Sequence, residues 1–172
     1  MHCSCAAASG TPPWTMEPSF AKLLARLAEH GVRFIVVGGV AVTLQGYVRL
    51  TEDVDLLIDG STDNVKRFLA CLAEYGEGHA RELSPEDFDD SEGAIRIIEE
   101  VEQCQIDVFT RMSGLHYADV MGDADHLALG GHSIPYASKV SLIRWKEASV
   151  REKDRLDALA LRRLQQDPET FA

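Results

Sequence analysis

Two carboxylates one residue apart, Asp53 and Asp55, lie inside the apolar segment DVDLLID. Alternate side chains of a strand share a face, so these aspartates project together while Val54, Leu56 and Ile58 point into the core. Two like charges on one face repel each other and resist removal from water, so folding alone does not favour them. The pair therefore indicates a site for a positively charged group.

A divalent metal ion is the positive group that such a pair suits best. Mg²⁺ prefers oxygen ligands and is commonly held by one or two carboxylates together with substrate phosphates. Asp107, in the apolar segment QIDVF, is a candidate third ligand from a neighbouring strand, and two metal ions could then clamp a phosphoryl displacement. Two structural alternatives stay open, in which the Asp53 and Asp55 side chains cap loops at a strand end and Asp107 pairs with an arginine.

A glycine pair, Gly38 and Gly39, follows the apolar segment RFIVV and precedes a short helical segment. A glycine turn that opens a helix lets the backbone approach a triphosphate closely and directs N–H groups at its oxygens. The pair is thus a candidate phosphate-binding turn. The alternative is that the glycines only end the strand.

The order of these segments resembles that of a known superfamily. VVGG, thirteen intervening residues, DVDLLID and then QIDVF are similar to the nucleotidyltransferase superfamily that includes DNA polymerase β. RLTEDVD, with Arg49 and Thr51, resembles the R-x-T-x-D-x-D version found in bacterial stand-alone members. The resemblance covers residues 33–60 and 104–110, and less fully 139–160.

The resemblance implies catalytic roles for three residues and nucleotide-binding roles for five others. The catalytic and metal-binding residues would be Asp53, Asp55 and Asp107. The nucleotide-binding residues would be Gly38, Gly39, Arg49, Lys146 and Lys153. In this scheme the glycines hold the β and γ phosphates of ATP or another nucleotide, Asp107 helps to activate the acceptor hydroxyl, and Arg49 orients a phosphate or a carboxylate.

The C-terminal segment KEASVREKDRLD resembles the Lys, then Arg-x-Lys-Asp-x-x-Asp pattern of nucleotidyltransferase-like toxins in abortive-infection toxin–antitoxin systems. It implies that Lys146 and Lys153 contact the nucleotide or the acceptor. Structural interpretations of the same residues stay open. Lys139 and Lys146 also fit a solvated helix face, and Lys153 and Asp157 fit an i,i+4 ion pair.

Hydrophobic periodicity predicts the elements that position these residues. The predicted helices span residues 17–30, 40–46, 62–75, 138–149 and 151–165. The predicted strands span 33–37, 53–59, 79–83, 94–99 and 104–110, the last two paired through a tight turn, and LALGGHSIPY predicts a hairpin at Gly130-Gly131. Residues 84–93 form an acidic loop, and 111–135 otherwise give no clear pattern. Because two adjacent strands come late, the order favours an α+β fold with a mixed sheet, nucleotidyltransferase-like with C-terminal helices, over a doubly wound fold.

Length and composition limit the organisation of the chain. With 172 residues and 45% hydrophobic content we expect one core, divided into a disordered tail (1–15), a catalytic core (16–136) and a helical extension (137–172). A net charge of -11 disfavours duplex DNA as a partner. Neither a secretory signal nor a membrane span is evident, and the four cysteines form no CxxC pair, so we expect a cytoplasmic protein with reduced thiols.

The sequence therefore predicts a nucleotidyltransferase that depends on Mg²⁺ or Mn²⁺. It would move a nucleoside monophosphate, AMP from ATP in the simplest case, onto a hydroxyl of a protein, RNA or small-molecule acceptor. An enzymatic alternative is an antibiotic nucleotidyltransferase whose acidic surface attracts a cationic aminoglycoside or lincosamide. A non-enzymatic alternative is a catalytically silent nucleotide-binding antitoxin or regulator.

Overall fold

The computed structural model describes residues 18–170, which form six α-helices and eight strands. The helices are α1 (Pro18–Glu29), α2 (Gly38–Leu44), α3 (Thr62–Ala73), α4 (Tyr117–Met121), α5 (Lys139–Ala148) and α6 (Glu152–Gln166). The strands are β1 (Phe34–Val37), β2 (Asp53–Ile58), β3 (Ile95–Glu99), β4 (Cys104–Phe109), β5 (Arg111–Met112), β6 (Leu115–His116), β7 (Asp125–Leu129) and β8 (His132–Tyr136). The predicted disordered tail, residues 1–15, lies outside the described residues.

Six strands form one mixed sheet in the order β3-β4-β2-β1-β8-β7. β2 pairs with β4 and β1 pairs with β8 in parallel, whereas the other three pairings are antiparallel. β5 and β6 form a separate two-stranded sheet. The predicted α+β class with a mixed sheet is therefore confirmed.

The centre of the sheet is formed by β1 and β2, which contribute much of the core. Every residue of β1 is buried, as is the run from Leu56 to Ile58 in β2. Helix α1 contributes Phe20, Leu23, Leu24 and Leu27, whose spacing of three and four residues places them on one face of the helix. Phe68 of α3 meets Phe88 edge to face, with ring centroids 5.9 Å apart.

The predicted hairpins are confirmed. β3 and β4 pair antiparallel, as expected for the segments 94–99 and 104–110, and β7 and β8 form the hairpin around Gly130-Gly131. The unassigned region from 111 to 135 contains β5, β6, α4 and β7. Strands of two residues and a five-residue helix are too short to produce a detectable hydrophobic period.

The strand predicted over 79–83 is wrong, because residues His79–Glu82 form a 3₁₀-helix. Gly78 has a φ of +73°, and short turn bonds follow it, from Arg81 N–H to the Gly78 carbonyl and from Leu83 N–H to the Ala80 carbonyl. The His79 N–H donates to the buried Glu99 carboxylate at 3.2 Å. These backbone groups are thus engaged locally and do not pair with a strand. A second 3₁₀-helix, Pro85–Asp87, lies in the acidic loop.

The two C-terminal helices are confirmed and pack against each other. Ser138 caps α5 by accepting a hydrogen bond from the Ser141 N–H at 3.1 Å. α5 also contacts α2, the helix that the glycine pair opens, so the C-terminal helices lie beside the predicted phosphate-binding turn. Between residues 18 and 170, no helix is both long and apolar enough to cross a membrane.

The start of α3 is fixed by Asn64, a fully buried amide that satisfies three backbone groups. Its Oδ1 accepts from the Arg33 N–H at 2.7 Å, and its Nδ2 donates to the carbonyls of Arg33 and Asp59 at 2.9 and 2.8 Å. This one side chain therefore joins the residues just before β1, the end of β2 and the first turn of α3.

We expect Asn64→Ala to lower the free energy of unfolding by about 2 to 4 kcal/mol, because it leaves three backbone groups without partners. Urea denaturation of the purified variant measures this change. The neighbouring Asp63→Ala, at an exposed position, is the control and should change stability by no more than about 0.5 kcal/mol. Equal stability of the two variants would contradict the role of the amide.

Candidate active site

Three carboxylates from two neighbouring strands meet at one place in the sheet. Asp53 and Asp55 lie on β2 and Asp107 on β4, and one oxygen from each lies within 4.8 Å of the others. Both aspartates of the pair are partly buried, whereas Asp107 is buried. The structure thus brings together the three residues that the sequence predicted as metal ligands.

The parallel register of β2 and β4 explains this convergence. Asp55 is directly opposite Asp107, and Asp53 is opposite Gln105. Val54 and Leu56 are fully buried, so the pair of aspartates projects from the other face, as the strand period predicts. The alternative in which Asp53 and Asp55 only cap loops does not fit Asp55, which lies inside the strand.

The pKa values of Asp53 and Asp55 are both raised by this arrangement. Burial, followed by the charges of Asp53 and Asp107, raises the pKa of Asp55 from 3.8 to about 7. A backbone hydrogen bond from Gly39 and the charge of Lys146 oppose this rise only in part. Burial and the nearby Asp107 also raise the pKa of Asp53. The cluster therefore holds more negative charge than its own surroundings neutralise.

Asp107 has a strong partner of its own in Arg96 of β3. The Arg96 Nε donates to Oδ1 and its terminal nitrogen donates to Oδ2, both at 2.8 Å. Arg96 is directly opposite Asp107 in the β3–β4 hairpin. The ion pair that we considered as an alternative thus exists, and it coexists with the carboxylate cluster. Each carboxylate oxygen has a further lone pair that can still bind a cation.

The two glycines are required by the protein's own side chains. Gly38 has a φ of +63°, and a Cβ added there would lie 2.6 Å from the Asp55 Cγ. A Cβ on Gly39 would lie 2.8 Å from the Thr51 Oγ1 and 2.9 Å from an Arg49 terminal nitrogen. Both glycines belong to α2 and line a cavity of about 750 Å³. The Gly39 backbone bonds to Asp55, so one N–H group that we assigned to phosphates has an internal partner.

A buried ionic network, formed by Arg49, Lys146, Asp154 and Asp157, connects the loop before β2 to the C-terminal helices. Lys146 is only 8% exposed, and its Nζ lies 2.7 Å from Asp154 Oδ1 and 3.0 Å from Asp157 Oδ2. Arg49 contacts both oxygens of Asp157 at 3.0 Å. The alternative that placed Lys146 on a solvated face is therefore wrong.

A cavity of about 750 Å³ opens above the carboxylate cluster. Its polar lining includes both glycines, the three aspartates and the remaining residues of the predicted site, namely Arg49, Lys146 and Lys153. Five cationic side chains line the cavity, and four of them pair with carboxylates, namely Arg49, Arg96, Lys146 and Arg151. The fifth, Lys153, forms no ion pair with any residue from 18 to 170. The alternative i,i+4 pair of Lys153 with Asp157 is not formed in the described part of the chain, where Asp157 is engaged by Arg49 and Lys146. All eight predicted site residues thus border one cavity, with Lys153 as its unpaired cation.

Sequence reasoning did not identify Arg96, and it assigned no role in the site to Asp154 or Asp157, although both belong to the C-terminal pattern. Counting back from the predicted β3–β4 turn would have placed Arg96 opposite Asp107. Asp154 and Asp157 share the helix face of Ala158 and Leu161, and a charge on an apolar face signals a buried partner.

The residues of the cluster fit a hard divalent cation. All three donors are carboxylates, which are the ligands that Mg²⁺ and Mn²⁺ prefer. The raised pKa values of Asp53 and Asp55 show that the fold leaves these charges undercompensated. A bound cation would relieve the repulsion that produces them.

Comparison with protein families assigns most of the chain. The model of the family described as "Nucleotidyl transferase of unknown function (DUF2204)" matches residues 17–168. No curated protein matches the chain.

Comparison with solved structures shows the same fold in nucleotidyltransferases. The lincosamide antibiotic adenylyltransferase LnuA, in its lincomycin-bound form, is 16% identical with a TM-score of 0.60, over 92% of this chain and 99% of that chain. A putative nucleotidyltransferase from Thermotoga maritima, TM1012, is 16% identical with a TM-score of 0.53, over 90% and 98%. ANT(2")-Ia, in complex with adenylyl-2"-tobramycin, is 13% identical with a TM-score of 0.50, over 88% and 90%. The predicted nucleotidyltransferase-like fold is thus confirmed.

The raised pKa of Asp55 predicts a specific pH dependence of stability. Between pH 4 and pH 7 the unfolded chain has lost this proton and the metal-free folded chain retains it, so the free energy of unfolding falls as pH rises. The slope from this group reaches at most about 1.4 kcal/mol per pH unit. Asp55→Asn removes the group, so we expect a flatter profile and, at pH 8 with EDTA, a more stable protein than the wild type.

Urea denaturation from pH 4 to pH 8 measures both profiles. Asp63→Asn, which removes an exposed carboxylate outside the cluster, is the control and should follow the wild-type slope. At pH 8, Mn²⁺ should stabilise the wild type and the control more than it stabilises Asp55→Asn. Parallel profiles for Asp55→Asn and the wild type would contradict the assigned repulsion.

Proposed function

We propose that this chain, which belongs to the family of nucleotidyl transferases of unknown function (DUF2204), transfers AMP from ATP to a hydroxyl acceptor in a divalent-cation-dependent reaction. Membership of the family makes the protein a nucleotidyltransferase. The donor, the metal and the acceptor are our proposal. A cytoplasmic location is part of it, supported by the two buried cysteines within residues 18–170, which are free thiols.

One observation supports the proposal most strongly, namely the convergence of Asp53, Asp55 and Asp107 beside the Gly38-Gly39 turn at the floor of a cavity. A cluster of three like charges is unfavourable for folding, and the fold maintains it through strand register and two glycines. The cavity above it, at about 750 Å³, falls within the size range of small-molecule sites.

Asp53, Asp55 and Asp107 would hold the divalent cations. When bound, such ions neutralise the charge that develops on the transferred phosphoryl group and on the leaving oxygens. The carboxylates of this chain fix the position of that positive charge relative to the cavity. Arg96 restrains Asp107 through two hydrogen bonds, so this ligand is oriented before any substrate binds.

The chemical step transfers the α-phosphoryl group. The acceptor hydroxyl oxygen forms a bond to the α-phosphorus of ATP, the bond from that phosphorus to the bridging α–β oxygen breaks, and pyrophosphate leaves. In our proposal the hydroxyl proton passes to a carboxylate oxygen of Asp107. Asp107 suits this role because it lies at the cluster and is held in one orientation by Arg96.

The nucleotide would lie between the glycine turn and the C-terminal helices. Lys153 lines the cavity and forms no ion pair with any residue from 18 to 170, so it is available to meet a phosphate directly. Lys146 and Arg49 are held by carboxylates and would contribute positive potential from fixed positions. The turn formed by Gly38 and Gly39 would lie against the β and γ phosphates.

For the acceptor, we propose a macromolecule modified within a toxin–antitoxin or abortive-infection system. The supporting observation is the C-terminal pattern that resembles such toxins. Three of its residues, Lys146, Asp154 and Asp157, form one buried network, and Lys146, Lys153 and Asp154 line the cavity. The pattern thus coincides with a wall of the candidate active site.

A small-molecule acceptor is the second candidate. Two proteins of the same fold support it: LnuA is a lincosamide antibiotic adenylyltransferase, and ANT(2")-Ia is known in complex with adenylyl-2"-tobramycin. The net charge of -11 favours a cationic acceptor of that kind.

We expect the wild-type protein to transfer label from [α-³²P]ATP to an acceptor in cell lysate with Mg²⁺ or Mn²⁺, and not from [γ-³²P]ATP. Asp53→Asn with Asp55→Asn should reduce transfer at least about 100-fold, because it removes two cation ligands. EDTA should abolish the wild-type activity. Asp63→Asn is the control and should retain it. Full transfer by the double variant would contradict the proposed site.

Expression in a bacterial host distinguishes the two acceptors. A macromolecular acceptor predicts growth arrest on induction and a labelled protein or RNA in the lysate. A small-molecule acceptor predicts normal growth and at least about a fourfold rise in the inhibitory concentration of a lincosamide or an aminoglycoside. The Asp53→Asn, Asp55→Asn double variant should lose whichever phenotype is seen. Growth arrest without labelled macromolecules would contradict the first candidate, and unchanged susceptibility to both drug classes would contradict the second.

A further inference from the structure

Asp157 is a buried carboxylate on α6, only 1% exposed, that contacts two cationic side chains from other parts of the chain. Its Oδ2 lies 3.0 Å both from a terminal nitrogen of Arg49 and from Lys146 Nζ, and its Oδ1 lies 3.0 Å from Arg49 Nε. Arg49 precedes β2 and Lys146 belongs to α5. One side chain thus fixes two charges of the cavity wall.

Each of the two cations lies next to a different part of the candidate active site. The Arg49 guanidinium nitrogens lie 2.9 and 3.1 Å from the point where a Gly39 Cβ would stand, so the group packs against the glycine turn. Lys146 lines the same cavity as Asp55, and its positive charge acts to lower the pKa of that carboxyl. The two cations therefore border the place where phosphates and metal ions would meet.

Stability alone does not explain this network. A buried ion cluster contributes little to folding compared with apolar residues of similar size, because removing its charges from water is costly. Three of its four members, Arg49, Lys146 and Asp154, also line the cavity, where a purely structural cluster is not needed.

We infer that Asp157 is a positioning residue, which holds the Arg49 guanidinium over the glycine turn and the Lys146 ammonium in the wall of the same cavity so that both face the triphosphate of the bound nucleotide. This inference rests on the proposed function, because it assumes that a triphosphate binds at the turn. Without Asp157, the Arg49 guanidinium would lose both of its contacts with a carboxylate and keep its hydrogen bond to the Leu50 carbonyl at 3.3 Å. Lys146 would retain Asp154 alone.

Binding measurements separate positioning from a structural role. We expect Asp157→Asn to weaken binding of the non-hydrolysable analogue AMPCPP, in the presence of Mn²⁺, by about tenfold or more. Binding of AMP, which lacks the β and γ phosphates, and of Mn²⁺ alone should change by less than about twofold. Calorimetry measures AMPCPP and AMP binding, and electron paramagnetic resonance measures free Mn²⁺. Equal losses for AMPCPP, AMP and Mn²⁺ would indicate a general structural defect and would overturn the inference.

A control variant comes from the same pair of helices. Glu147 of α5 pairs with Arg162 of α6 outside the cavity lining, one of its oxygens accepting from the Arg162 terminal nitrogen at 2.8 Å. Glu147→Gln removes this ion pair and should leave AMPCPP binding unchanged. A tenfold loss in this control would overturn the inference, because any contact between α5 and α6 would then have the same effect.

Arg49→Lys provides a test if Asp157→Asn does not fold. It keeps a positive charge beside the buried Asp157, but an ammonium cannot contact both carboxylate oxygens as the guanidinium does. We expect the same selective loss of AMPCPP binding, and normal binding by a folded Arg49→Lys would overturn the inference. A wild-type protein that binds neither Mn²⁺ nor AMPCPP would overturn the proposed function itself.

Discussion

Mutual repulsion among three carboxylates is the constraint on which the rest of the site depends. The parallel pairing of β2 with β4 puts Asp55 opposite Asp107, and the strand period puts Asp53 on the same face. Burial prevents water from screening these charges, which is why the pKa of Asp55 rises to about 7. Only Arg96 forms a direct ion pair with this cluster within residues 18–170. The cluster therefore remains net negative unless protons or cations bind.

The glycine pair is best understood through the same constraint. Gly38 leaves space for the Asp55 carboxylate, and Gly39 leaves space for Arg49 and Thr51. A side chain at either position would displace a charged or polar group of the site. The two glycines therefore leave room, first, for the charged and polar groups of the protein itself. The same lack of side chains would also allow phosphates to approach the backbone. The groups that approach these glycines in the structure belong to the chain itself, and phosphate binding at the turn stays a prediction.

The sequence predicted those parts of the fold and site that follow from local periodicity and composition. The buried face of α1 has a repeat of 3.6 residues, and the shared face of Asp53 and Asp55 has a repeat of two. The fully buried strand β1 was recognised from its β-branched and aromatic composition, and the β7–β8 hairpin from its glycine turn. The segment 79–83 did not follow its local propensity, because Gly78 and the buried Glu99 engage its backbone. The network of Arg49 with Asp157 joins residues 108 positions apart, and no local pattern in one sequence encodes such a contact.

Two parts of the cavity lining, its floor and its wall, carry net charges of opposite sign. The floor has three carboxylates and one paired arginine, Arg96. The wall formed by α5, α6 and the loop before β2 has four cations against three carboxylates, namely Arg49, Lys146, Arg151 and Lys153 against Glu52, Asp154 and Asp157. A free divalent cation matches only the floor, and a free triphosphate matches only the wall. A nucleoside triphosphate bound to a divalent cation matches both the floor and the wall at once, so the charge arrangement favours the complex over either component alone.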